Sequence, residues 1–175
     1  MPTSATDLAI GLAIAMVFLA PALAWPTLGR AMLGVFFIGG ATFNLLYTLP
    51  NLPASLEALV ATSTVPLYRD VVELAVTSRV DVALIAVVIV FEATAGALTL
   101  WRGPLARVAL LAAAAWGLGM LPVIPPYGLP IGLALTGAPA LAALLLFRNR
   151  YLESVVRLVS RRLVTAHPIR PPESI

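Results

Sequence analysis

The sequence predicts an all-α polytopic transmembrane helix bundle, and three observations predict it. Of 175 residues, 61% are apolar and only 11% charged, whereas a soluble domain carries roughly 25% charged residues. Too few polar groups remain to cover a water-facing surface. Several apolar runs approach the roughly 20 residues needed to cross a hydrocarbon core, and most of the charges gather between those runs or after the last of them. Five spans are expected, at about 8–25, 28–49, 80–101, 105–124 and 129–147. Residues 1–149 then form the bundle and 150–175 a basic cytoplasmic tail.

The first run, Leu8 to Trp25, ends in Ala22-Leu23-Ala24, which has the small-x-small form of a leader cleavage site. The preceding MPTSATD contains no Arg or Lys, which a secretory leader requires, so a retained span is expected. The second run, Leu28 to Leu49, is interrupted only by Arg30. It is rich in glycine (Gly29, Gly34, Gly39, Gly40), and small residues let helices approach closely in lipid. It stops at Pro50, and the NLP that follows reads as a turn.

Residues 51–79 hold no span. Within them Pro66 to Ser78 predicts an amphipathic helix, with Leu67, Val71, Leu74 and Ser78 on one face and Arg69, Asp70, Glu73 and Thr77 on the other. Such a helix lies along the bilayer interface or caps the bundle. Arg69 and Glu73, four residues apart, are expected to form a solvated ion pair worth little. The third span, Val80 to Trp101, carries a single acid, Glu92. Leu105–Ile124 and Leu129–Phe147 fold as a hairpin around PVIPPYGLP, with a partly re-entrant first arm as the alternative. The tail places Leu152, Val155, Val156, Val159 and Leu163 opposite Arg150, Arg157 and Arg161, the pattern of a basic surface helix.

Cysteine is absent, which excludes disulfides, thiolate nucleophiles and Cys-ligated metal, and the one histidine, His167, lies in the tail. An intramembrane haem with two His ligands is therefore excluded. All eleven basic residues are arginine, a bias of composition more than of function. Six of them, from Arg148 onward, are set against only Glu153 and Glu173, so the stretch from Arg148 to the end is +4 and the remainder −1, in agreement with the net +3. A basic patch beside a membrane meets anionic lipid head groups; nucleic acid is not an expected partner. Arg150, Arg157, Arg161 and Arg162 are the candidate lipid-binding residues. The arginine distribution favours a cell-membrane protein with its N-terminus outside and its C-terminus cytoplasmic. Trp25, Trp101 and Tyr151 would anchor the inner boundary, and Tyr47 and Tyr127 the outer one.

Glu92 is the sharpest chemical signal. It lies about 18 Å from the outer boundary at ~1.5 Å per residue, where an acid costs on the order of 2.5–3.5 kcal/mol to insert and should face the bundle interior. Hydrocarbon disfavours its charged form. It is either a proton-handling or ligand-binding acid, or a neutral group bonded to a neighbouring helix. Asn44 and Thr42, with Tyr47 nearer the surface, are expected to line a pocket above it, or else to make ordinary interhelical hydrogen bonds. Trp116, inside a span, is packing or a flat wall for an aromatic ligand. No nucleophile–base or acid–base pair is visible, so no catalytic residue and no metal ligand is assigned.

Two segments, GRAMLGVFFIGGATFNLLY and FEATAGALTLWRGPLARVALL, resemble the DoxX-like family of small membrane proteins. The pattern is Arg30, Gly34 and Gly39, then Glu92, Gly96, Arg102 and Arg107, and the likeness covers about residues 29–147. The resemblance implies a four-helix core, to which the span Leu8–Trp25 is an addition, and in some members a place in quinone-linked oxidoreductase systems; it implies no catalytic residue. The resulting expectation is a non-catalytic or accessory subunit that binds a small apolar molecule such as a quinone, beside other membrane subunits. The alternatives are a purely structural subunit of a larger complex and a small transporter using Glu92. No cofactor is expected other than a bound quinone.

Overall fold

The computed structural model describes residues 4–63, 65–101, 103–121 and 129–148. Among them are seven α-helices: α1 (Ala5–Ala24), α2 (Pro26–Phe43), α3 (Leu52–Thr62), α4 (Pro66–Thr77), α5 (Asp81–Leu100), α6 (Gly103–Met120) and α7 (Leu129–Phe147). Five helical segments are long and apolar enough to cross a membrane: α1, α2 with its continuation to Thr48, α5, α6 and α7 from Pro130. The chain is a multi-pass, all-α integral membrane protein. The predicted basic tail helix with Arg150, Arg157, Arg161 and Arg162, together with Arg102, Tyr127 and Tyr151, lies outside the described residues.

Local chemistry fixes several of the helix ends. Ser4 and Asp7 form a reciprocal capping box at the start of α1, with Asp7 N–H donating to Ser4 Oγ at 3.0 Å and Ser4 N–H to Asp7 Oδ2 at 3.1 Å. Two of the orphan donors at a helix start are thereby satisfied. Prolines at the first or second position open α2, α3 and α4, where the missing N–H is no loss. Gly103, with φ 69°, takes the left-handed conformation that turns the chain from α5 into α6. The fourth span closes at Met120.

The five spans close a ring in the order α1, α2, α5, α6, α7, and α7 returns to α1 while also touching α2. Phe18, Leu33, Phe37, Leu110, Ala142 and Leu146 lie in the core they enclose. The first span approaches its neighbours closely at small residues: a side chain at Gly11 would strike the Pro130 carbonyl oxygen at 2.7 Å, and one at Gly29 the Ala22 backbone at 2.8 Å.

The segment between the second and third spans is a pair of helices. The NLP sequence opens α3, with Pro53 accommodated in its first turn. Leu52 and Leu56 are buried there with Val72 and Ile85, and Leu59 and Val60 pack against them. On α4 the packed residues are Val72 and Ala75, whereas the predicted apolar face of Leu67, Val71 and Leu74 is exposed. Nor does Arg69 pair with Glu73. Its guanidinium turns back onto the Ser63 carbonyl, with Nε at 3.2 Å and Nη2 at 2.8 Å, and closes the link between α3 and α4.

Candidate functional site

The α2–α5 seam holds the charged residues that are buried among the described residues, Arg30 and Glu92. It is narrow because glycines face each other across it. A Cβ on Gly96 would lie 2.8 Å from the Gly34 carbonyl oxygen, and one on Gly34 would lie 2.6 Å from a methyl carbon of Leu100. Such close approach strengthens any hydrogen bond made across the seam, since lipid supplies no competing water.

At one end of this seam sits Arg30, only 2% exposed. Its Nε and Nη2 donate to the Thr99 carbonyl at 3.0 and 2.8 Å, and Nη2 also donates to the Trp101 carbonyl. These carbonyls belong to the last turn of α5, where intrahelical donors have run out. A cation is favoured at that negative end of the helix. Arg30 thus ties the start of α2 to the end of α5. The Thr99 hydroxyl beside it is buried with no hydrogen-bond partner among the described residues.

Further along, Glu92 is 9% exposed, and Asn44 Nδ2 donates to its Oε2 at 2.8 Å. Thr48 Oγ1 donates to Asn44 Oδ1, also at 2.8 Å, and so orients the amide with its NH2 toward the acid. The backbone there is unusual: Asn44–Thr48 forms a π-helical turn, in which Leu49 N–H reaches the Asn44 carbonyl at 2.8 Å. Gly40, one turn before Asn44, makes room for the carboxyl, because a Cβ there would come within 3.2–3.3 Å of its atoms. Glu92 Oε1 receives no hydrogen bond from the described residues.

Of the residues singled out from sequence, Glu92 and Asn44 are brought together, and Thr42 and Trp116 are not part of their cluster. Thr42 is exposed and donates to the Ile38 carbonyl four residues back, at 2.9 Å. Residues two apart on a helix point to nearly opposite sides, so Thr42 cannot share the face of Asn44. Trp116 packs against Phe91 with ring centroids 4.9 Å apart and the rings tilted by 36°, on the α6 side of α5. Thr48 carries no signal in the sequence, and the sequence marks Gly40 for close helix approach and Arg30 for the family pattern without assigning either to the site. For Arg30 a signal existed: a charge inside a span needs a partner, and no acid lies near it in the sequence.

The opposite side of α5 is different in kind. Between α5 and α6 runs an open groove of about 590 Å³, lined along α5 by Val87, Val90, Phe91, Thr94 and Leu98 and along α6 by residues that include Ala112. Its one polar side chain is Thr94. The hydroxyls of Thr42, Thr77 and Thr136 each donate to the carbonyl four residues back, but that of Thr94 makes no hydrogen bond among the described residues. No protein-family model matches the chain, and no curated protein or solved structure matches it either.

Proposed function

We propose that the protein is a non-catalytic, accessory membrane subunit that binds a small apolar molecule, of which a quinone is the leading candidate, in the groove between α5 and α6. The observation that carries this reading is the groove itself. It has the volume of a small-molecule site, an aromatic wall at Phe91 backed by Trp116, and the Thr94 hydroxyl three residues on, along the same wall. A flat ring carrying carbonyl oxygens matches that set of groups. The resemblance to DoxX-like proteins points the same way. Glu92 and Asn44 then serve as the clamp that holds α2 against the far side of α5. In this reading the host is the cell membrane, with the N-terminus outside and the C-terminus cytoplasmic, as the arginine distribution favours.

The test uses the protein in nanodiscs, with Trp25 and Trp101 replaced by Phe so that Trp116 alone reports. Titration with decylubiquinone should quench Trp116 saturably. Ala112→Leu, which fills the groove, should weaken the apparent affinity by about tenfold or more, a change of ~1.4 kcal/mol. Quenching that never saturates, or an affinity unchanged by Ala112→Leu, overturns the reading.

A further inference from the structure

The helix α4 presents three chemically distinct sides, and their arrangement identifies a partner. At about 100° per residue, the buried Val72 and Ala75, with half-buried Tyr68, fall on one side. Exposed Arg69, Asp70, Glu73 and Thr77 fall on a second, nearly opposite. Between them lies a third side formed by Leu67, Val71 and Leu74, which are 64%, 47% and 66% exposed. A helix held above the membrane in water would be polar on both of its unpacked sides. This one is polar on one side only.

Its height relative to the bundle is also fixed. The Tyr68 hydroxyl donates to the carbonyl of Gly119, next to the last residue of α6. Val72 packs beside Ile85 in the second turn of α5. Both contacts hold α4 at the level where two spans end, which is where the hydrocarbon gives way to head groups. At the same end of the bundle, Val82 in the first turn of α5 and Leu118 near the end of α6 are exposed, as the surface of a span facing lipid must be.

We infer that α4 is an interfacial anchor, and that its Leu67–Val71–Leu74 side is seated in the acyl-chain boundary of the leaflet at that end of the bundle. The occupant is lipid. Packing on the bundle, insertion into lipid and exposure to water divide the three sides among them. In this way the α3–α4 pair is fastened to the membrane independently of the spans.

The chain has no cysteine, so single labelling sites are clean. The full chain carrying Leu74→Cys or, separately, Glu73→Cys is labelled with an environment-sensitive fluorophore and reconstituted in phosphatidylcholine vesicles. A nitroxide on the fifth acyl carbon of the lipid should quench the Leu74→Cys label several-fold more than a water-soluble nitroxide does, and the Glu73→Cys label should show the reverse. Val71→Cys repeats the lipid arm should Leu74→Cys fail to fold. Equal behaviour of the two labels overturns the anchor. So does cross-linking of Leu74→Cys between two copies in place of lipid quenching, since the side would then be a protein interface.

Discussion

The two long sides of α5 solve opposite problems. Toward α2 the helix is drawn in by facing glycines and bridged by two polar devices, Arg30 on the terminal carbonyls and Asn44 on Glu92. Toward α6 the helices leave an open groove, lined on α5 by larger side chains that include Val87, Val90 and Leu98. Within lipid there is no hydrophobic force to pull helices together, so close packing and interhelical hydrogen bonds decide which seams are tight. The tight seam is a fixed wall, and the loose seam is the one with room for something else. Substitutions in the first should therefore act on stability, and substitutions in the second on binding.

The largest effect on that contrast should come from Arg30→Met. It removes the donors from two carbonyls at the end of α5, and leaving such groups unsatisfied costs ~1–3 kcal/mol each, so a loss of about 3 kcal/mol is expected. A drop in apparent Tm in detergent, only partly recovered in Arg30→Lys because a single ammonium cannot reproduce the guanidinium fork, is the expected result. An unchanged melting curve for Arg30→Met would mean that the seam is held by packing alone.

Next in size is Gly96→Ala. The added methyl meets backbone atoms of Gly34 and Ile38 at 2.8–3.0 Å, which cannot rotate away, and overpacking of this kind costs about 1–3 kcal/mol. Gly39→Ala is the matched control, because nothing lies within 4 Å of its Cβ. It should melt at or slightly above the wild-type temperature, since alanine is favoured over glycine in a helix by about 1 kcal/mol. Equal behaviour of the two variants would remove close approach as the cause of the tight seam.

How much of this was legible follows from what each feature depends on. The spans depend on hydropathy, which is local, and their predicted and observed ends differ by only a few residues at most boundaries. The helix α3 was hidden because Pro53 reads as a turn, although Leu52, Leu56, Leu59 and Val60 already carry helical spacing. On α4 the periodicity marks the helix and its polar side, but the apolar face it suggests, Leu67, Val71 and Leu74, omits Val72 and Ala75, the residues that meet the bundle. Asn44 and Glu92 were each visible as polar groups in apolar runs. Their union depends on how α2 and α5 cross, and on a π-helical turn that no composition signals. The groove is a gap between helices and leaves no mark on a single helix.

The smallest effect, and the one that separates a clamp from a working acid, belongs to Glu92. Glu92→Gln keeps the shape and retains an acceptor for Asn44 Nδ2, so its melting should stay within about 0.5 kcal/mol of wild type, as for a substitution that breaks no buried contact. Glu92→Leu leaves the Asn44 donor unpaired, at about 1 kcal/mol, near the lower end of the range for an orphaned buried group. That value is set low because Asn44 is only half-buried and Thr48 still holds its carbonyl oxygen. The order Gln above Leu in thermal stability, with decylubiquinone binding in the α5–α6 groove equal in both, identifies Glu92 as part of the fixed wall. Wild-type stability in Gln together with lost binding would instead move the functional centre to the carboxyl, and the contrast between the two sides of α5 would have to be redrawn with its chemistry on the tight side.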